Sequence, residues 1–146
     1  MPVQFEETMA GTISTPEGPR AFSFRVQAAS DAWMVFGWVE LMTLTGTASL
    51  QGVVTDAPLL RGSNLEIGIP FHDYLRYQVA FEGPDGERYR YVGQKTVRPW
   101  RLVSTMTTLR GQLFRDGVEV GAGTLRFDLK TLPRFLASWR FRPARR

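Results

Sequence analysis

Along most of the chain, apolar residues return at every second position. From Leu75 to Phe81 the side chains Leu75, Tyr77, Val79 and Phe81 fall on one face, with Arg76, Gln78 and Glu82 on the other. That period of two predicts a strand with one buried face. Gly83-Pro84-Asp85-Gly86 follows, where proline fixes one φ and glycine admits a positive one. Beyond it Tyr89, Tyr91, Gly93, Lys95 and Val97 share a face, and Arg88, Arg90, Gln94 and Thr96 take the opposite one. Two alternating runs joined by such a turn predict a β-hairpin.

The same pattern extends in both directions. One strand is expected to end at Gly11-Thr12-Ile13-Ser14, and Pro16-Glu17-Gly18-Pro19 turns the chain into a second strand carrying Phe22, Phe24 and Val26. Thr43 to Val54 reads as a strand with Gly46 and Gly52 as kinks, followed by a turn at Asp56-Ala57-Pro58. Leu65, Ile67 and Ile69 alternate up to Pro70. Thr105 to Phe114 and Val118 to Leu129 form a further hairpin about Arg115-Asp116-Gly117, because Asp-Gly suits a two-residue turn.

Two segments carry helix signals. Ser30-Asp31 can cap a short helix through Ala32 to Phe36, although its Trp, Val and Phe suit a strand equally. Leu132, Phe135, Leu136 and Trp139 recur at helical spacing behind Thr131 and Pro133. About eight strands with short turns and no β-α-β alternation exclude a parallel doubly wound fold. The expected fold is all-β, an antiparallel β-barrel of about eight strands, lipocalin-like in broad shape, with one or two short helices. A β-sandwich is the alternative. Glycines inside the strands favour the barrel, since closing a strongly coiled sheet requires them.

Composition adds boundaries. At 146 residues, 43% apolar and 22% charged, the chain has the make-up of one globular domain. The expected division is a single β domain over 1–139 and a basic tail over 140–146. The net charge of +4 resides in Arg140, Arg142, Arg145 and Arg146, and the rest of the chain is neutral. A neutral body argues against nucleic acid as a partner. The absence of cysteine fits a reducing compartment. No apolar run reaches the roughly 18 residues of a membrane span, and MPVQFEETMAG lacks the features of a signal peptide. A soluble cytoplasmic protein without a transmembrane segment is therefore expected.

Chemistry-bearing motifs are few. With one histidine and no cysteine a transition-metal site is not expected, and no cofactor signature is present. His72 stands beside Asp73, but there is no Gly-x-Ser-x-Gly elbow, so a hydrolase triad is disfavoured. Gly121-Ala122-Gly123 lies within strand residues and opens no helix, which removes a dinucleotide reading. What remains is a polar group among aromatics: Tyr77, Tyr91, Lys95, Arg98, Trp100 and Arg101. If the Tyr91–Lys95 face looks inward, these residues suit an amphipathic ligand with an acidic or carbonyl head. If it looks outward, Lys95 snorkels at a strand end and the tyrosines cover a half-exposed sheet. Trp33, Phe36 and Trp38 either join the core or form an apolar patch for a partner.

The order Tyr77-x-Val79-x-Phe81, Asp85-Gly86, Tyr91-x-Gly93-x-Lys95-x-Val97, Trp100 and Thr107-Thr108-Leu109 resembles a bacterial module. So do Gly123-x-Leu125-Arg126 with Leu129 and Phe135-Leu136, and the opening Gly11-Thr12-Ile13 with Phe22-x-Phe24-x-Val26. The module occurs in large cholesterol oxidase-like proteins, beside flavin oxidoreductase and α/β-hydrolase regions. The likeness is strongest from 74 to 129 and departs over 30–60, where apolar AWMVFGWVEL replaces an acidic, helical segment. It implies an accessory role in lipid or sterol chemistry and transfers no catalytic residue. The expected function is a non-catalytic barrel that binds a hydrophobic or amphipathic, lipid- or sterol-like molecule. The alternatives are an interaction module, as a homodimer or with a partner oxidoreductase, and a small barrel cyclase or isomerase using Tyr77, Tyr91 and Lys95.

Overall fold

The computed structural model describes residues 3–29, 40–67, 74–96, 108–127 and 140–141, and the structural statements below concern those residues. β1 (Val3–Thr15) and β2 (Gly18–Ala29) form a hairpin about Pro16-Glu17. β3 (Glu40–Leu50) pairs with β2. After the turn at 51–53, β4 (Val54–Pro58) runs back along the upper half of β3, and β5 (Asn64–Ile67) continues along its lower half. β6 (Tyr74–Glu82) and β7 (Arg88–Thr96) are the central hairpin, β8 (Thr108–Arg115) and β9 (Val118–Phe127) the next. β10 (Arg140–Phe141), the first two residues of the basic segment, pairs with Val3 and Gln4.

β9 returns to β1, with Met9 opposite Phe127 and Ser14 opposite Ala122. That pairing closes the antiparallel ring β1-β2-β3-β5-β6-β7-β8-β9, so the molecule is an eight-stranded barrel and not a sandwich. Closure leaves no edge along the seam and creates one interior, which side chains of an eight-stranded ring can fill. The alternation read from the sequence supplies them. In β6, Leu75, Tyr77, Val79 and Phe81 are buried while the residues between them are half-buried. In the hairpin at Asp116-Gly117 both residues have positive φ, 49° and 84°, the type I′ geometry that Asp-Gly favours.

Two expectations need correction. No helix occurs among the described residues, and the segments expected to be helical, 32–36 and 132–139, lie outside them. The turn after β3 is at 51–53, not at Asp56-Ala57-Pro58, which belong to β4. Asp56 does have the positive φ of a turn residue (50°), but the backbone there is held by an N–H bond to Ser49 Oγ (2.8 Å), so it kinks a strand without ending it. Along β3 the chain is met by two separate strands, β4 and β5. Between them Leu59 makes a single bridge to Phe81, and the chain turns at Arg61-Gly62, a bulge in the wall.

Ser63 closes that break. Its hydroxyl accepts from the Ala80 N–H (3.0 Å) and donates to Leu60 O (3.0 Å), and Leu60 N–H bonds Ala80 O (2.8 Å). The backbone groups of β6 that lack a ladder partner at the bulge are thereby satisfied.

The strand directions divide the barrel into two unlike ends. The tight turns at 16–17, 51–53, 83–87 and 116–117 all lie at one end. The segments 30–39, 68–73, 97–107 and 128–139 all attach at the other. Among the described residues no helix is long and apolar enough to cross a membrane, which says nothing about strands.

Candidate functional site: an ionic layer across the barrel

The half of the barrel nearer the tight turns is filled with rings. Phe22 on β2 reaches across to Tyr91 on β7 and Phe81 on β6, with ring centroids 5.2 and 5.9 Å apart. Phe24 meets Tyr77 at 5.9 Å, and Phe81 stacks on Tyr89 at 5.3 Å. Tyr91 lies in a slot cut by glycine. Gly93, Gly111 and Gly123 stand in register on β7, β8 and β9, at inward-facing positions. A Cβ on Gly111 would sit 2.6 Å from Tyr91 Cζ, so the ring occupies space that any other residue would claim. The Tyr91 hydroxyl donates to Gly123 O (3.1 Å) and Leu109 O (3.4 Å), and burial holds its phenol well above the usual tyrosine range. Tyr91 is thus a packing residue whose polar tip is satisfied by backbone.

Toward the end with the long connections the interior becomes ionic. Lys95, one residue from the end of β7, directs Nζ inward to Glu7 Oε1 on β1 (3.0 Å). The Tyr77 hydroxyl on β6 donates to Glu7 Oε2 and lies 3.5 Å from Lys95 Nζ, which also stands 5.1 Å from the Tyr77 ring centroid. The side chains of Lys95 and Glu7 are only 2% and 4% exposed. In the ring order β6 lies opposite β1 and β7 is its neighbour. The three side chains therefore meet across the width of the interior, forming a polar layer above the aromatic fill. Burial, then the Glu7 charge and the hydrogen bond to it, push the Tyr77 phenol well above the ordinary tyrosine value. It stays protonated and acts as a donor. The ammonium and carboxylate offset each other's cost of burial, and the phenol satisfies the second carboxylate oxygen.

Of the residues singled out by sequence, Tyr77, Tyr91 and Lys95 all point inward, so the Tyr91–Lys95 face is the interior one. Tyr77 and Lys95 share a site, while Tyr91 is part of the packing beneath it. Arg98, Trp100 and Arg101 lie outside the described residues, as do His72, Trp33, Phe36 and Trp38. Glu7 was not among the candidates, although its signal is in the chain. Phe5, Glu7, Met9, Gly11 and Ile13 share one phase of β1, so an acid stands on the inward face of an apolar strand. Glu66 stays on the outside, accepting from Tyr74 Oη (2.8 Å) and pairing with Arg76 (3.3 Å).

The outer wall has its own concavity of about 370 Å³ beside the bulge, lined by Arg61, Gln78, Arg88, Arg90 and Phe114 among others. Arg90 lies over the Phe114 ring at 5.6 Å. It is separated from the ionic layer by the thickness of the sheet. Among the described residues no group of three or more metal-ligating side chains is gathered.

Fold and site together define a closed antiparallel β-barrel, packed solid toward one end and crossed by a buried Glu–Lys–Tyr layer toward the other. Compared with protein-family models, curated proteins and solved structures, the chain matches none.

Proposed function

We propose that this protein is a non-catalytic binding barrel for a hydrophobic or amphipathic small molecule, lipid- or sterol-like in kind. The ligand enters by the end at which the long connections attach. The observation that carries this reading is the asymmetry of the interior. The tight-turn end is occupied by closely spaced, buried rings, so in this reading a ligand rests toward the ionic layer at the other end. Phe5, Met42, Leu65 and Leu75 face the interior at that same end and give it apolar walls. Apolar walls with a few convergent polar groups are the usual make-up of a small-molecule site. A phenol held protonated and a carboxylate bonded to two donors suit recognition better than proton transfer. The resemblance to a module of cholesterol oxidase-like proteins supports a lipid class of ligand and an accessory place beside an oxidoreductase.

Native mass spectrometry of protein purified without detergent tests this reading. A bound mass of a few hundred daltons, lost on denaturation and recovered by organic extraction, is the expected result. A protein that is clean of adducts and takes up none from a lipid extract would overturn it. A dimer in the same spectrum would then favour an interaction module.

A further inference from the structure

The outer wall gathers charge in one place. Arg88 and Arg90 stand two residues apart on β7, both exposed, so they share the outward face of that strand. The turn at Arg61-Gly62 brings a third arginine to the same concavity of about 370 Å³. The rest of the lining is Gln78, Ala80, Phe114 and two glycines, so three positive charges face this space and no carboxylate lines it. Elsewhere on the wall an arginine is matched, as Arg76 is by Glu66 at 3.3 Å. The acids nearest Arg88 are placed differently. Glu82 lies opposite it in register, and Asp116 accepts from the Arg88 backbone N–H (2.9 Å). Among the described residues no carboxylate forms an ion pair with Arg61, Arg88 or Arg90. Arg90 rests over the Phe114 ring, 5.6 Å from its centroid, a contact that orients the guanidinium before any ligand arrives.

A cleft lined by one sign of charge concentrates ions of the other. A guanidinium offers parallel N–H donors that match the oxygens of a phosphate or carboxylate. Three of them without an acid favour a group with more than one negative charge, and a phosphate monoester carries about −1.5 to −2 at pH 7. The volume falls near the small end of the roughly 300–1,000 Å³ of ligand sites, which suits a phosphate with a compact body. Gln78 and Phe114 offer that body one polar and one apolar contact.

We infer that this concavity is a phosphate-binding site, taking a mono- or diphosphate carried on a small soluble molecule or on a lipid head. It lies on the outside of the barrel and goes beyond the interior binding reading, which stands or falls separately.

Amide NMR spectra of the protein at low salt, titrated with pyrophosphate and with succinate, test it. Pyrophosphate is expected to shift the signals of Gly62, Arg90 and Gly117 and to bind about tenfold or more tighter than succinate. Arg61→Gln combined with Arg88→Gln should weaken pyrophosphate by about tenfold or more. Arg25→Gln, at an exposed position on β2 across the ring from β7, should leave it unchanged. Phosphatidylcholine vesicles doped with phosphatidic acid separate the two sources of phosphate. Flotation with the vesicles that is lost in the double variant assigns a lipid head, and a pyrophosphate response without flotation assigns a soluble ester.

Neither a pyrophosphate response nor flotation would overturn the inference. So would succinate binding as tightly as pyrophosphate, which would point to an acidic peptide, or an equal loss in Arg25→Gln, which would mean diffuse attraction to a basic surface. If the double variant does not fold, the map of shifted amides and the comparison with succinate decide.

Discussion

At the scale of single residues, the Glu7–Lys95–Tyr77 layer bears on stability. Removing one member of a buried pair strands the other, so Lys95→Met should cost about 3–5 kcal/mol in denaturant unfolding. The double variant Glu7→Leu with Lys95→Met should recover most of that loss, because an apolar pair of similar volume replaces both charges. A double variant no better than Lys95→Met would mean that the two side chains are not coupled. The tyrosines give a second handle. Folding raises the phenols of Tyr77 and Tyr91 above the ordinary value of 10.0, so the folded state holds protons that the unfolded chain releases. Stability is then complete below about pH 10 and falls as the pH rises further. Phenolate absorbance from these two, of the four tyrosines in the chain, should appear only in the alkaline unfolding transition. Gradual ionisation of all four in folded protein would show that water reaches the interior. Lys95 was legible in the sequence as an inward-phase lysine. Glu7 needed the same test of phase applied to β1, and its partnership could not be read, since 88 residues separate the two and only barrel closure brings them together.

At the scale of elements, the hairpins were legible and the irregularities were not. Alternation and Asp-Gly chemistry give β6–β7 and β8–β9 their strands and turns, because both signals are local. The broken fourth stave is set by pairing with β3 and β6, and no local pattern announces it. Asp56-Ala57-Pro58 has the composition of a turn and is a strand, since the neighbouring β3 supplies partners at Ala48 and Thr47. Ser63 is the element's weak point. Its hydroxyl is the acceptor for Ala80 N–H, so Ser63→Ala should cost about 1–3 kcal/mol and speed amide exchange at Ala80. The glycine row was visible as composition, but its register was not. An added Cβ on Gly111 would lie 2.4 Å from the Val92 carbonyl oxygen as well as against Tyr91, and backbone cannot step aside as a flexible side chain can. Gly111→Ala is expected to lose about 1–3 kcal/mol, and a variant as stable as wild type would show that the slot is loose.

At the scale of the whole molecule, one sheet wraps a single interior, and the interior has a solid end and an ionic end. The barrel rather than the sandwich followed from glycines within strands, an argument about curvature that the closing pairs of β1 and β9 bear out. The division between the two ends was hidden, because it depends on which turns share an end and on which strands face each other across the lumen. With most contacts between distant parts of the chain, folding is expected on the millisecond-to-second scale of non-local β topologies. Stopped-flow refolding checks this, and a microsecond phase accounting for the full signal would contradict it.

The seam between β1 and β9 has a consequence for the order of events during synthesis. β2 can zip onto one side of β1 as soon as both are made, but the other side has its partner more than a hundred residues later in the chain. Until β9 emerges from the ribosome, β1 presents a long row of unpaired backbone groups, and Glu7 faces an interior that does not yet exist. A chain halted in the β6–β7 region is thus a sheet with an open edge and an unmatched acid, the form most prone to stick to a copy of itself. Slower synthesis before β9 is therefore expected to lower the yield of folded protein.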